Sequence, residues 1–246
     1  MQVAKVKNSL KIAVFLLLGI ACAPSMDEVT TECVIQEDQT ATFKGRWATR
    51  PVPLAVEASD FSTSELAEVQ AAIVKWNDFF SRSKGFSLYL SGSNPLGVIS
   101  SGLTRTTKTN VCSSTIVTPS GFSNSIRIYK TRSNWTYGSQ VMALTSLCPI
   151  VRPNAQFREF TNAVMEVNYQ HYFVAGKPLP DLQSIILHEL GHILGLDHSC
   201  NGSDCDAAPE DYVEAVMYPA LGFDGIYGRV KRTLMTNDQQ RANCLY

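Results

Sequence analysis

Apolar residues follow different rhythms along this chain, and each change of rhythm marks an element. The first run, Ile12 to Ile20, is continuous and follows Lys5, Lys7 and Lys11. It is far shorter than the roughly 18 residues of a membrane span, so it predicts an export leader rather than part of the fold. Residues 23–42 are polar and aperiodic and read as a spacer. From Trp47 to Glu57 the pattern alternates around Pro51 and Pro53, which predicts a strand at an edge or entry. Ser62-Thr63-Ser64-Glu65 forms a capping box, and Leu66, Val69, Ile73, Trp76 and Phe80 recur at helical spacing until Gly85. That stripe predicts core. Shorter strands are expected at Phe86–Leu90, Ser125–Tyr129, Gln140–Leu147 and Ala163–Tyr169. Asp181 should cap a helix whose Leu182, Ile185, Ile186 and Leu190 face the core, and Thr236 with Gln239 should cap a last helix carrying Cys244.

The Asp181 helix runs into His188-Glu-Leu-Gly-His192-Ile-Leu-Gly195-Leu-Asp-His198. Four residues is about one turn, so His188 and His192 leave the same face. Glu189 projects beside them and can reach a water on a metal without binding the metal itself. His198 cannot join from a continued helix, because six more residues turn it by about 240° and carry it about 9 Å along the axis. The helix must stop, and Gly195 is where a left-handed turn is easiest. Three imidazoles and one carboxylate at this spacing suit a catalytic zinc ion, with one coordination position left for water and Glu189 as general base. A purely structural zinc site would want four protein ligands.

The run H-E-x-x-H-x-x-G-x-x-H resembles the metzincin clan of zinc endopeptidases. Ala215-Val216-Met217-Tyr218-Pro219, after His198, resembles the clan's Met-turn, where the methionine lies beneath the ligands. Ser199 and the Met-Tyr-Pro sequence are most similar to the matrixin branch. Clan members with a tyrosine ligand carry it two residues after the methionine, where this chain has Pro219, so Tyr218 is not expected to bind metal. The resemblance implies an α+β zincin-like fold from residue 43 to 246: a twisted, mostly parallel five-stranded sheet, three main helices and a cleft floored by one zinc. It also implies an antiparallel edge strand, Gln140–Leu147, that seats a polypeptide substrate. The chain departs from matrixins in several places. Only His171 remains outside the motif, so a second, structural zinc is not expected, and His171 itself reads as solvated or packed. Leu221 stands where the branch has a tyrosine in the specificity-pocket wall, and no cysteine-switch motif precedes the domain. Calcium sites are possible but have no support in the sequence.

The cysteines fit an exported chain. Gly19-Ile20-Ala21-Cys22 resembles a bacterial lipobox, which would make Cys22 a lipidated N-terminus attached to the membrane of the cell envelope. Ala21-Cys22-Ala23 equally fits ordinary signal peptidase, releasing a secreted protein from Pro24. Either way, Cys33, Cys112, Cys148, Cys200, Cys205 and Cys244 remain, enough for three disulfides. Cys200 and Cys205 can close a small loop. Cys112–Cys148 is the next pairing, and Cys33–Cys244 follows by elimination. A disulfide is the favoured reading of Cys33 over a blocking thiolate.

Loss of the leader takes Lys+Arg from 21 to 18 against 22 acids, moving the net charge from −1 to −4. There is no basic patch, so nucleic acid is not an expected partner. About 223 residues at 45% hydrophobic composition can build one sizeable core, expected to be monomeric. The rival to an endopeptidase is a non-catalytic surface or adhesion protein that kept the zinc fold for binding. The presence of Glu189 argues against it, because binding alone needs only the scaffold.

Overall fold

The computed structural model describes residues 29–35, 43–57, 60–90, 98–100, 109–113, 126–220 and 230–246. The leader, Cys22, Leu221 and much of the spacer lie outside these residues. The elements run β1 (Arg46–Trp47), β2 (Leu54–Glu57), α1 (Thr63–Lys84), β3 (Val98–Ser100), β4 (Ile126–Thr131), β5 (Ala143–Ile150), β6 (Glu159–Asn168), α2 (Leu182–Leu194), a 3₁₀ turn (Gly202–Ala207), α3 (Glu210–Glu214) and α4 (Thr236–Leu245).

Six strands form one mixed α+β sheet that is five positions wide. β6 is its hub. β5 pairs antiparallel along one edge of β6, from Ala143↔Val167 to Ile150↔Glu159. The other edge of β6 takes β4 in parallel over 163–168 and the short β1 over 159–160, end to end. β2 and then β3 continue in parallel outward from β4. The strands' period of two separates the faces. Leu54, Val56, Ile126, Ile128, Ala163, Met165 and Val167 point into the main core, whereas Ala55, Tyr129, Val164 and Cys148 meet Val111 on the other face.

Helices α1, α2 and α4 cover the first face. α1 begins at the capping box, with Glu65 N–H donating to Ser62 Oγ and Ser62 N–H to Glu65 Oε2, and ends at Gly85 in the left-handed region. Its stripe of Val69, Ile73, Trp76 and Phe80 is fully buried. Trp76 Nε1–H donates to the Leu187 carbonyl at 3.0 Å, fixing α1 against α2. Burying such a ring contributes about 3 kcal/mol or more.

Several boundaries differ from the sequence pattern, each for a local reason. The expected strand Trp47–Glu57 is two strands, because Pro51 and Pro53 bring no N–H to a ladder. Phe86–Leu90 makes only a single bridge, Tyr89 to Val52. There the Asn77 side chain serves both backbone groups of Tyr89, donating to its carbonyl at 3.0 Å and accepting its N–H at 2.9 Å. The edge strand lies at 143–150 rather than 140–147 and continues through Pro149. A register shift after Cys148 accommodates the proline, as an edge strand permits. α4 is capped by Asp238, not Gln239: its carboxylate accepts the Met235 N–H at 3.0 Å. All three expected disulfides are present, Cys33–Cys244, Cys112–Cys148 and Cys200–Cys205. Cys33 is therefore no free thiol.

One ion pair is enclosed between α1 and the sheet. Lys130 Nζ, on a side chain only 3% exposed, lies 2.5 Å from Glu65 Oε2 and over the rings of Phe61 and Tyr169. Tyr169 OH donates to Glu65 Oε1 at 2.7 Å. Burial pushes the Glu65 carboxyl up, but Lys130, the Ser62 N–H and hydroxyl, and Tyr169 outweigh it and hold the group at about 2. A carboxyl held low stabilises the fold above its unfolded value near 4.5, and that contribution disappears as pH falls toward 2. Glu65→Gln should therefore lower the melting midpoint at pH 7, because it removes the negative charge that faces the buried Lys130. It should also flatten the loss of stability between pH 4.5 and 2. Thermal unfolding of both proteins across that range checks this, and parallel curves would contradict it.

Candidate metal centre and active site

Helix α2 starts at Asp181, whose Oδ1 accepts the Ser184 N–H at 2.8 Å. Arg232 pairs with the same carboxylate from outside. The helix presents His188, Glu189 and His192 to the cleft and stops at Gly195, which has φ +123°. Only glycine fits there. Besides the backbone conformation, a Cβ would lie 1.9 Å from the Gly45 carbonyl oxygen. The strand before β1 lies along this corner: Lys44 N–H donates to Gly195 O at 2.8 Å, and Phe43 bridges Leu196. Lys44 Nζ also pairs with Asp197 at 2.5 Å.

The turn delivers His198 to the other two histidines. One ligand nitrogen from each of His188, His192 and His198 can be chosen so that all lie within 4.8 Å of one another. Ring centroids are 4.7, 4.8 and 5.3 Å apart. Two backbone carbonyls orient the rings. His188 Nδ1 is 2.8 Å from Val216 O, and His192 Nδ1 is 2.9 Å from Leu196 O. A carbonyl only accepts, so each Nδ1 carries the proton and each Nε2 keeps its lone pair for a metal. Burial, reinforced by the neighbouring imidazoles, holds His188 well below its usual value and His192 at about 4; burial also lowers His198. All three are therefore neutral near pH 7, the form that binds a metal. The donor set fits zinc: three imidazoles and no fourth protein ligand among the described residues.

Met217 lies under the helix. It is fully buried, and a Cβ on Gly191 would meet its Sδ at 2.1 Å, so the glycine in the middle of the motif makes room for the methionine. The Tyr218 ring centroid lies 5.2 Å from Lys231 Nζ. His171 lies outside the histidine group, its backbone N–H donating to Asn168 Oδ1.

Glu189 is 5% exposed. Its Oε2 accepts a 2.6 Å hydrogen bond from Thr145 Oγ1 on β5. Burial pushes this carboxyl up to about 7, against the opposing hydrogen bonds of Thr145. A cation held by the three neutral histidines would pull it back down. Above the base runs a cleft of about 1140 Å³ between β5 and α2. Ala143, Leu144, Thr145 and Leu147 form its upper wall, Ile185 and the histidines its floor, and Pro219 one end. Among the described residues, β5 is paired on one edge only.

Three supporting groups escaped the sequence reading. Asp238, fully buried on α4, accepts the N–H groups of Val216 at 2.8 Å and Met217 at 3.0 Å. Burial pushes its carboxyl up, while Arg241 and these N–H groups oppose the shift. Arg241 Nη1 donates to the carbonyls of Asp197 at 3.1 Å and His198 at 3.3 Å. Thr145 is the third. The one available signal was a buried Asp and Arg spaced three apart in a short helix otherwise poor in apolar residues. A threonine in a strand gives none.

No protein-family model matches the sequence. No curated protein matches it either. Solved structures similar to the chain include two zinc-protease structures. Metalloproteinase-II from Bacteroides fragilis aligns at 13% identity with a TM-score of 0.41, covering 85% of this chain and 58% of that one. High choriolytic enzyme 1, a hatching enzyme zinc-protease from the medaka fish Oryzias latipes, aligns at 15% identity with a TM-score of 0.37, covering 82% and 94%.

The support beneath the ligands can be tested directly. Asp238→Ala removes the acceptor of two buried N–H groups and of the half-buried Met235 N–H, and a carboxylate that faces Arg241. It should lower the unfolding free energy by about 3–5 kcal/mol and weaken zinc binding by about 10–100-fold. Urea titration and competition with a chelator measure the two effects. A variant with wild-type values for both would show that α4 does not hold the site.

Proposed function

We propose that this chain is a zinc-dependent endopeptidase of the metzincin type, closest in its motifs to the matrixins, acting on extracytoplasmic polypeptides. The observation that carries the reading is the convergence of three neutral imidazoles beside a buried carboxylate, under a cleft walled by an edge strand. His188, His192 and His198 would hold the ion through Nε2, and Glu189 stays outside the ligand set. Bound zinc supplies a Lewis acid and a water of lowered pKa.

The chain's own residues account for the rest. The edge of β5 that has no partner strand among the described residues offers backbone N–H and C=O groups to an extended peptide. Glu189 accepts a proton from the attacking water at its carboxylate and returns it to the nitrogen of the departing amine. The enclosed position of Glu189 keeps bulk water from competing for that proton.

Three disulfides favour an oxidising compartment, in keeping with export. No helix among the described residues is long and apolar enough to cross a membrane. Membrane attachment through Cys22 is the favoured reading of the leader, with release from Pro24 as the other outcome.

The variants divide the chemistry. Metal analysis of wild type should return one zinc per chain, and His192→Ala should abolish it. Glu189→Ala should keep the zinc and the fold while peptide hydrolysis falls by several orders of magnitude. Equal turnover by Glu189→Ala and wild type would overturn the mechanism. A zinc-loaded wild type that cleaves nothing in a broad peptide library would favour a binding protein instead.

Mass analysis of the exported protein reads its anchoring. An acylated N-terminal Cys22 that partitions into detergent is expected, and Cys22→Ser should move the protein to the aqueous phase with unchanged kinetics on soluble peptides. A mature N-terminus at Pro24 would mean free secretion.

A further inference from the structure

Thr145 is the one side chain among the described residues that hydrogen-bonds the Glu189 carboxylate, and it comes from a different element. It lies on β5, opposite Met165 of β6, on the face of the strand that looks toward α2. Its Oγ1 is 2.6 Å from Glu189 Oε2 and 3.3 Å from the Glu189 carbonyl oxygen. A hydroxyl has one proton to give. The 2.6 Å contact has the length of a charge-assisted bond to a carboxylate, so the proton goes to Oε2 and the carbonyl receives little.

Glutamate has three side-chain torsions, so burial alone does not select one rotamer of its carboxylate and a fixed hydrogen-bond donor does. Threonine is branched at Cβ and stiff about its first torsion, so its hydroxyl is a firm point of attachment. Thr145 also lines the cleft itself. The strand that forms the wall for an extended peptide is therefore the strand that grips the base.

The geometry points to Thr145 as a positioning residue: its hydroxyl holds Glu189 by Oε2, leaving Oε1 as the oxygen that exchanges protons with water and the departing amine. The kinetic part of this inference rests on the endopeptidase reading above, whereas the hold on Glu189 can be seen without any turnover. By bridging β5 and α2, the same bond keeps the base at a constant height relative to a peptide seated on the strand.

The experiment uses zinc-loaded Thr145→Val, which keeps the shape and loses the hydroxyl, and Thr145→Ser, which keeps the hydroxyl. Crystal structures of wild type and Thr145→Val give the first readout: Glu189 should occupy one rotamer in wild type, and a different rotamer or several in the variant. The second is kinetic. Thr145→Val should lower kcat by about 10–100-fold, with KM within about twofold and zinc content unchanged. Thr145→Ser should recover most of the loss. In a Glu189→Ala background, Thr145→Val should cost nothing further, since no carboxylate remains to hold.

An unmoved Glu189 in Thr145→Val overturns the inference whatever the activity. So does a displaced Glu189 with unchanged kcat, or a loss of equal size in the Glu189→Ala background, which would mark a structural role. An inactive wild type in which Thr145→Val still displaces Glu189 would count against the endopeptidase reading and leave the hold itself established.

Discussion

One helix can bring only two imidazoles to a single point, and the site is built around that limit. His188 and His192 use one face of α2; the third ligand must arrive from a chain that has turned away. Gly195 makes the turn, and the close approach of the Gly45 carbonyl leaves no room there for any side chain. Because a turn is softer than a helix, His198 needs outside support. It comes from Lys44 on one side, paired with Asp197, and from Arg241 on the other, bonded to the backbone of Asp197 and His198.

The same logic explains the C-terminal helix. The Met-turn holds little regular structure, yet its Val216 carbonyl fixes the tautomer and tilt of His188. Asp238 takes the N–H groups on either side of that carbonyl and so sets where it stands. A chain of ordinary hydrogen bonds thus runs from α4 through the Met-turn to the ring of a ligand. Buried charge is costly when unpaired, so Asp238 and Arg241 have a reason to be where they are only if the backbone groups they serve are in place. Ligand geometry and the folding of the last helix are one cooperative unit.

Much of this was legible in the sequence because it depends on spacing. The capping box of α1, the stop at Gly195 and the ligand trio all follow from residues close together in the chain. Among the disulfides only Cys200–Cys205 was marked by its spacing, whereas the two longer bridges rested on a guess and its remainder. What stayed hidden was long-range. Asn77 replacing a strand neighbour for Tyr89, Asp238 reaching back to residues 216 and 217, and Thr145 reaching Glu189 across the cleft are pairings between distant segments. No local pattern announces them, since each partner has an unremarkable role where it stands in sequence. The strand boundaries failed for a related reason: alternation does not say where proline interrupts a ladder, or which neighbour completes it.

The bridge between Cys33 and Cys244 joins positions 211 apart. In the chain-entropy picture a loop of that size contributes about 5 kcal/mol of stability. Its topology has a separate consequence for a molecule exposed to proteases, its own proposed activity included. Between those two cysteines the backbone is a closed ring, so a single cut in any surface loop opens the ring and frees nothing. Self-digestion or a hostile protease must strike twice before a fragment can diffuse away, and a once-nicked molecule keeps its ligands, its floor and its last helix on one covalent body.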